Sequence, residues 1–149
     1  MTLLPDWREF IALLNSHGVD YLIVGAWARA FHGVPRSTGD LDFFVGVSPD
    51  NADRLVRVLE EFGFRSLGIQ REDFLAPGRV VQLGIDLYRI DLITGISGVE
   101  FEEAWSERVR GYIDGLPASF LSLRLYRRNK MAAGRMKDLA DLEALPEEE

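Results

Sequence analysis

Two short apolar runs constrain this fold more than any other feature, because a glycine follows the first and two aspartates lie at the start of the second. The first run covers residues 21–24 and ends at Gly25, where a short helical pattern begins. The second run opens on Asp40 and Asp42, which are separated by one residue. Because alternate residues of a strand share a face, both carboxylates can point at one cation. The helix start after Gly25 leaves free backbone N–H groups, which favour an anion such as phosphate.

Composition is that of an ordinary globular protein. With 149 residues, 47% of them hydrophobic and 28% charged, the chain suits one domain spanning 1–149 with a single core. It has no cysteine, which excludes disulfides and thiolate metal sites and is compatible with a reducing compartment. There is no charged-then-apolar leader, and no apolar run approaches the ~20 residues that a membrane helix needs. We therefore expect a cytoplasmic protein with no membrane partner.

Charge is distributed unevenly along the chain. The net charge of −7 argues against a broad surface that binds nucleic acid without regard to sequence. Six basic residues and no acidic residue lie between Arg124 and Lys137, and the protein's two lysines, Lys130 and Lys137, are among them. Such a patch suits a small polyanion better than a long one, although a basic helix face is usually only solvated.

Hydrophobic periodicity and turn signals predict alternating helices and strands. Helices are predicted over 6–17 and 26–32, from Ser48-Pro49 to Gly63, over 99–107, from Ser122 towards 133, and around 139–145. Strands are predicted over 21–25, 41–47, 80–83 and 87–93, and on both sides of an Asp114-Gly115 turn. Residues 64–76 fit either a short strand or a loop. This order predicts an α/β or α+β domain with a mixed sheet, helices packed mainly on one face and short C-terminal helices.

A third carboxylate, Asp91, lies inside a predicted apolar strand. A buried acid needs a partner; if this strand lies beside the one that carries Asp40 and Asp42, the three acids form a cluster. Hard cations such as Mg²⁺ prefer oxygen ligands and keep positions open for substrate phosphates, and Asp91 could also accept a proton from an attacking hydroxyl. Each acid also has an ordinary explanation. Asp40 could close a turn, Asp42 could be solvated, and Asp91 could pair with Arg89 or another arginine.

Two polar residues between the apolar runs allow two interpretations each. His32 could contact substrate, but a histidine next to Gly33 at the end of a helix is more often a capping residue. Arg36 could contact phosphate or could be a solvated loop residue, and its closeness to Asp40 in the sequence favours a functional role.

Taken together, these residues resemble the signature of the nucleotidyltransferase superfamily, which has the DNA polymerase β-like fold. The resemblance rests on Gly25-Ala26, His32-Gly33, Arg36, Thr38, Asp40-x-Asp42 and Asp91, with further similarity over 89–99 and 129–138. It covers most of the chain, and the chain looks nearest to the minimal nucleotidyltransferases and the AbiEii-type toxins.

The resemblance implies a site and a reaction. Asp40, Asp42 and Asp91 would bind Mg²⁺ or Mn²⁺, with Asp91 also a candidate base. The nucleotide would be bound by the Gly25-Ala26 turn, Arg36, Thr38, Lys130 and Lys137. The reaction would move a nucleoside monophosphate from an NTP to an acceptor, which could be an RNA end, a protein side chain or a small molecule, and would release pyrophosphate.

One departure from the family motif bears on activity. The family's turn is Gly-Gly or Gly-Ser, whereas Ala26 offers its backbone N–H but no hydroxyl. A catalytically inactive nucleotide-binding or antitoxin-like partner module is therefore an alternative, and a purely structural interaction protein is a third. A toxin or antitoxin partner, or a second copy of the chain, could complete the site.

Overall fold

Helices and strands alternate in the computed structural model, which describes residues 2–33, 39–63, 68–84, 88–143 and 145. The first half contains α1 (Pro5–Ser16), β1 (Tyr21–Val24), α2 (Gly25–Phe31), β2 (Asp40–Val45) and α3 (Pro49–Phe62), followed by a 3-10 turn (Arg71–Phe74). The second half contains β3 (Val80–Leu83), β4 (Arg89–Ile93), α4 (Phe101–Ser106), β5 (Val109–Ile113), β6 (Leu116–Phe120), α5 (Leu123–Ala133) and α6 (Met136–Glu143). In these described ranges, no helix combines the length and apolar character needed to cross a membrane.

The local signals in the sequence mark where these elements begin and end. Ser48 caps α3 by accepting a hydrogen bond from the N–H of the third helical residue, and Gly63 ends that helix with a φ of +99°. Ser122 caps α5 in the same way. The predicted turn between β5 and β6 is confirmed, with Asp114 and Gly115 at φ values of +48° and +77°. In the uncertain 64–76 segment, the described part contains the 3-10 turn and no strand.

Six strands form one mixed sheet in the order β3-β4-β2-β1-β6-β5. The pairs β1–β2, β3–β4 and β5–β6 are antiparallel, whereas β2–β4 and β1–β6 are parallel. The predicted mixed sheet is thus confirmed. Strand β2 lies in the interior of the sheet, with β4 on one side and β1 on the other.

A hydrophobic cluster covers each face of the sheet. The larger cluster includes Leu41 and Phe43 of β2, packed with side chains of α1 and α3. The second includes Leu22 and Phe44, packed with side chains of α4, α5 and the α6 region. The predicted α/β architecture is confirmed, and the structure adds a helical layer over the second face. Alternation along β2 directs Asp42 to this second face, the same side as Phe44.

Candidate active site

The Asp-x-Asp pair and Asp91 lie on neighbouring strands. Strands β2 and β4 run parallel, with Asp42 directly beside Asp91 and Asp40 directly beside Arg89. Because direct neighbours and alternate residues of a sheet share a face, all four charged side chains lie on one face. The sequence predicted this cluster on the condition that the two strands are adjacent, and the structure meets that condition.

The turn at the start of α2 touches the carboxylate of Asp42. Strand β1 pairs with β2 so that Val24 lies opposite Asp42, and the chain enters α2 at the next residue. Gly25 adopts a φ of +65°, and a Cβ atom at this position would lie only 2.4 Å from Asp42 Oδ2. Glycine is therefore required here both by the backbone conformation and by the space available. The predicted phosphate-binding turn and the predicted metal ligand are thus in direct contact.

Asp42 lies in an environment that disfavours its negative charge. Burial is the largest cause that raises its pKa, to about 7, and a hydrogen bond and charge repulsion from Asp91 and the charge of Asp40 add to it. The charge of Arg89 acts in the opposite direction. One oxygen of Asp42, Oδ1, is buried and accepts no hydrogen bond from the described residues. Without a cation, Asp42 therefore favours its protonated form, in which it can hydrogen-bond to Asp91.

Arg89 lies among the carboxylates as an internal cation. Its Nη2 is 3.2 Å from Asp40 Oδ2, and its Nε is 3.2 Å from Asp91 Oδ1. The guanidinium thus bridges two of the three predicted metal ligands. Sequence reasoning considered Arg89 only as an ordinary partner of Asp91, although its position two residues earlier in the same strand already placed it on the same face.

These carboxylates have the chemistry of a divalent-cation site. Within the described parts of the chain, no three His, Cys, Asp or Glu side chains are arranged to hold a metal ion. Arg89 lies between Asp40 and Asp91, whereas Asp42 and Asp91 are direct neighbours. The buried, unpaired Oδ1 of Asp42 and the all-oxygen donor set nevertheless fit a hard cation such as Mg²⁺ or Mn²⁺. The metal role of the three acids remains a prediction.

Lys130 and Lys137 have different surroundings. The Nζ of Lys130 lies 3.2 Å from Asp138 Oδ1 and 3.5 Å from Asp141 Oδ2, and its side chain is only 13% exposed. Asp141 also pairs with the buried Arg29 of α2, at 3.6 Å. This ionic network connects α2, α5 and α6, and sequence reasoning did not predict it. Lys137 is exposed, and the nucleotide-binding role of both lysines stays a prediction.

The predicted loop residues are only partly described. Arg36 and Thr38 lie outside the described residues. His32 forms the C-cap of α2, and its Nε2–H donates to the carbonyl of Leu121 at 2.8 Å. A carbonyl accepts but never donates, so this bond fixes the proton on Nε2. Of the two interpretations of His32, the structure supports the capping role.

A separate open groove lies at the β5–β6 hairpin, away from the carboxylates. Its volume is about 640 Å³, and its lining includes Asp20, Trp105, Arg108, Arg110 and Tyr112. The guanidinium of Arg108 stacks on the Trp105 ring at 3.9 Å. None of the three predicted metal ligands lines this groove, so the chemistry suggested by the sequence belongs to the face of β2 and β4.

Comparison with known proteins gives a match at the level of structure. No family model matches the chain, and no curated protein matches it. A candidate nucleotidyltransferase from Thermotoga maritima is similar over 95% of this chain and 93% of its own, with 17% identity and a TM-score of 0.62. An antigenic nucleotidyltransferase-like protein from Paracoccidioides brasiliensis is similar over 93% of this chain and 73% of its own, with 18% identity and a TM-score of 0.55. The chain therefore has the nucleotidyltransferase fold, as the sequence motif predicted.

Proposed function

We propose that this protein is a divalent-cation-dependent nucleotidyltransferase that moves a nucleoside monophosphate from an NTP to an acceptor. The observation that carries the proposal is the contact between three parts of the predicted motif. Asp42 lies directly beside Asp91 in the sheet, and Gly25 packs against the Asp42 carboxylate. A carboxylate pair in contact with a turn that presents backbone N–H groups suits a nucleotide phosphate and its cation.

Each group has a defined task in this reaction. The acceptor's nucleophilic oxygen attacks the α-phosphorus and forms the new P–O bond, while the bond from the α-phosphorus to the bridging oxygen breaks. Pyrophosphate leaves with the electron pair, and the acceptor proton moves to a carboxylate oxygen of Asp91. Asp42, Asp91 and Asp40 are the residues that would hold Mg²⁺ or Mn²⁺, which neutralises phosphate charge when bound. The Gly25-Ala26 turn positions the phosphates, and Arg36, Thr38, Lys130 and Lys137 are further candidate contacts.

A thermal-melting screen tests the nucleotide site. A ligand at about 100 times its Kd adds about 2.7 kcal/mol to the free energy of unfolding, which for a domain of this size corresponds to roughly 5–10 °C. We expect at least one NTP to give such a shift with Mg²⁺ and not without it. The Asp40→Asn/Asp42→Asn double variant should lose the shift, whereas Asp50→Asn, which removes an exposed charge from α3, should keep it. A shift that persists in the double variant would contradict the proposal.

Transfer of a radioactive nucleoside monophosphate identifies the acceptor. With [α-³²P]NTP and Mg²⁺, transfer would appear in RNA, in protein or in a small-molecule fraction, together with acceptor-dependent pyrophosphate. By motif, the minimal nucleotidyltransferases and AbiEii-type toxins remain our nearest group. If expression of this protein arrests growth, and co-expression of the protein encoded by an adjacent gene relieves the arrest, a toxin–antitoxin pair is supported. No growth arrest would argue against such a pair.

A non-catalytic nucleotide-binding or antitoxin-like module is the second candidate. Two observations favour it: Arg89 occupies the carboxylate cluster, and Ala26 lacks the hydroxyl of a Gly-Ser turn. This candidate predicts Mg²⁺-dependent nucleotide binding with no pyrophosphate release for any acceptor fraction. Release that depends on Asp42 would exclude it.

A further inference from the structure

Strand β5 forms one edge of the sheet and presents an aromatic and a basic side chain to the open groove at the β5–β6 hairpin. Ile113 belongs to the larger core, so Arg110 and Tyr112, which share the opposite face of the strand, point away from that core. Both are exposed, and Tyr112 is 70% exposed. Their cross-strand neighbours, Ser119 and Pro117, also line the groove. An open phenol ring thus lies next to an open guanidinium.

Arg108 brings a second guanidinium to the groove, in a fixed orientation. Its guanidinium lies 3.9 Å from the centre of the Trp105 ring, and its Nη1 donates to the Trp105 carbonyl at 2.7 Å. Among the residues that the structure describes, neither Arg108 nor Arg110 forms an ion pair with a carboxylate. Arg8, on the other side of the hairpin, does pair with one, that of Asp114. The two groove arginines therefore keep positive charge available for a ligand.

Side-chain amides hold the floor of the groove in place. Asn51 accepts a hydrogen bond from the Asp20 N–H at 2.8 Å and donates to the Asp20 carbonyl at 3.1 Å. Asn15 accepts from the Tyr21 hydroxyl at 2.8 Å and donates to the Pro117 carbonyl at 2.7 Å. Because these bonds fix the backbone on both sides of the groove, its shape is formed before a ligand arrives, which lowers the entropy lost on binding.

The lining indicates the chemical class of the ligand. Guanidinium groups match the charge and geometry of a phosphate, and an exposed aromatic ring stacks on a planar base. Asp20, the one acid among the described lining residues, repels an anion at its end of the groove but can accept hydrogen bonds from the amino group of a base. The volume of about 640 Å³ is that of a small-molecule site. A ligand that joins one phosphate to a planar base fits this lining better than one that is anionic throughout.

We propose that this groove binds a nucleotide unit, with the base stacked on Tyr112 and the phosphate bonded to Arg108 and Arg110. A free nucleoside monophosphate and a single strand of nucleic acid both present such a unit. The groove is separate from the carboxylate cluster, so this site does not depend on the proposed function and needs no divalent cation.

Fluorescence anisotropy with fluorescein-labelled hexaadenylate RNA tests the groove, in EDTA and at about 50 mM salt, where phosphate contacts are weakly screened. The wild type should bind the hexamer. Tyr112→Leu should weaken binding about tenfold, the loss of one base stack, and leave the salt dependence unchanged. Arg110→Gln should reduce the slope of log K against log salt concentration by about 0.7, the value for one phosphate contact of a single strand.

Two matched variants control for the loss of any exposed tyrosine or arginine. Tyr88→Leu removes a tyrosine that is 55% exposed and lies outside this groove. Arg57→Gln removes an exposed arginine of α3. Both should bind the hexamer like the wild type. Thermal melts of all four variants show whether they fold, as the exposure of each replaced side chain leads us to expect.

Competition with 5′-AMP distinguishes the two sources of the nucleotide unit. Displacement of the hexamer by AMP, with the same dependence on Tyr112, would identify a free nucleotide as a ligand, and a hexamer that AMP does not displace would identify a strand. No binding by the wild type, or losses in Tyr112→Leu and Arg110→Gln no larger than in the controls, would overturn the inference. A labelled hexaglutamate peptide that binds equally well and is lost in the same two variants would also overturn it, in favour of an acidic peptide. Because EDTA removes divalent cations, none of these outcomes decides whether the carboxylate cluster transfers nucleotides.

Discussion

Replacing Asp42 with asparagine should stabilise the protein when no divalent cation is present. Burial and the neighbouring acids raise the pKa of Asp42 from 3.8 to about 7. Each pKa unit corresponds to about 1.4 kcal/mol, so the ionised carboxylate costs the folded state up to roughly 4 kcal/mol. Asparagine removes the charge and can donate an N–H to Asp91, but its buried amide keeps part of the desolvation cost. We expect Asp42→Asn to raise the free energy of unfolding by about 2 kcal/mol at pH 7.5.

The pH dependence follows from the direction of the pKa shift. The folded-state pKa of Asp42 is raised above its unfolded value, so between pH 3.8 and about 7 the folded chain binds more protons than the unfolded chain. The wild type therefore loses stability as the pH rises through this window, and the loss is complete above pH 7. Because the whole shift corresponds to roughly 4 kcal/mol, a gain of about 2 kcal/mol for Asp42→Asn at pH 7.5 should be lost by about pH 5 and should reverse below pH 4, where the wild-type carboxyl is protonated.

Urea denaturation in EDTA at pH 7.5 and pH 5 measures the difference in the free energy of unfolding between the variant and the wild type. In a thermal melt, a gain of 2 kcal/mol corresponds to about 4–8 °C in Tm. Asp50→Asn is the matched control, because it removes the same charge from an exposed position of α3. Adding Mg²⁺ should stabilise the wild type and leave Asp42→Asn unchanged. A variant that is less stable than the wild type in EDTA at pH 7.5, or equally more stable at both pH values, would refute this electrostatic account.

Two further substitutions test the turn and the basic patch. Gly25→Ala should lower the free energy of unfolding by about 2 kcal/mol or more and abolish Mg²⁺-dependent nucleotide binding, because its Cβ would lie 2.4 Å from Asp42 Oδ2. Gly33→Ala should show only the backbone cost, because Gly33 has a φ of +99° and its Cβ would meet no atom of the described residues within 4 Å. Equal losses in the two variants would argue against the contact. Lys130→Ala should lower the free energy of unfolding by about 3 kcal/mol, because it leaves two buried carboxylates of α6 without this partner. Lys137 is exposed, so Lys137→Ala should change the free energy of unfolding by no more than about 0.5 kcal/mol. If Lys130 also binds phosphate, nucleotide affinity should fall more at low salt than at high salt, and equal losses would indicate packing alone.

The boundaries of the helices and strands were largely predictable because local side chains set them. Ser48 and Gly63 mark α3, and the Asp114-Gly115 turn separates β5 from β6 through residues that tolerate positive φ. The 3-10 turn at Arg71–Phe74 was missed because the reciprocal side-chain cap that holds it leaves no mark on hydrophobic periodicity. Sheet order was not predictable, because the adjacency of β2 and β4 joins segments about fifty residues apart in the chain.

The basic patch of residues 124–137 shows why the net charge of a short segment does not predict the charge of the folded surface. No acidic residue lies between Arg124 and Lys137, so the segment resembled a free cationic surface. In the structure, Arg124 contacts Glu103 and Glu107 of the α4 region, and Lys130 contacts carboxylates of α6. These partners lie outside the window, and only the packing of α4 and α6 against α5 brings them into range. The charge of the patch is therefore mostly compensated within the fold.

The apolar side of β2 and β4 is what holds the carboxylates together against their mutual repulsion. Leu41 pairs with Ile90, and Phe43 pairs with Leu92, all four buried on the face opposite the acids. Burying such side chains contributes about 1.5–3 kcal/mol each, more in total than the roughly 4 kcal/mol that an ionised Asp42 costs. A slip of one residue between the strands would move charged groups into the larger core and apolar groups into the cluster. The register that the core requires is therefore the register that places Asp42 beside Asp91, so the site's geometry follows from packing on the other face of the sheet.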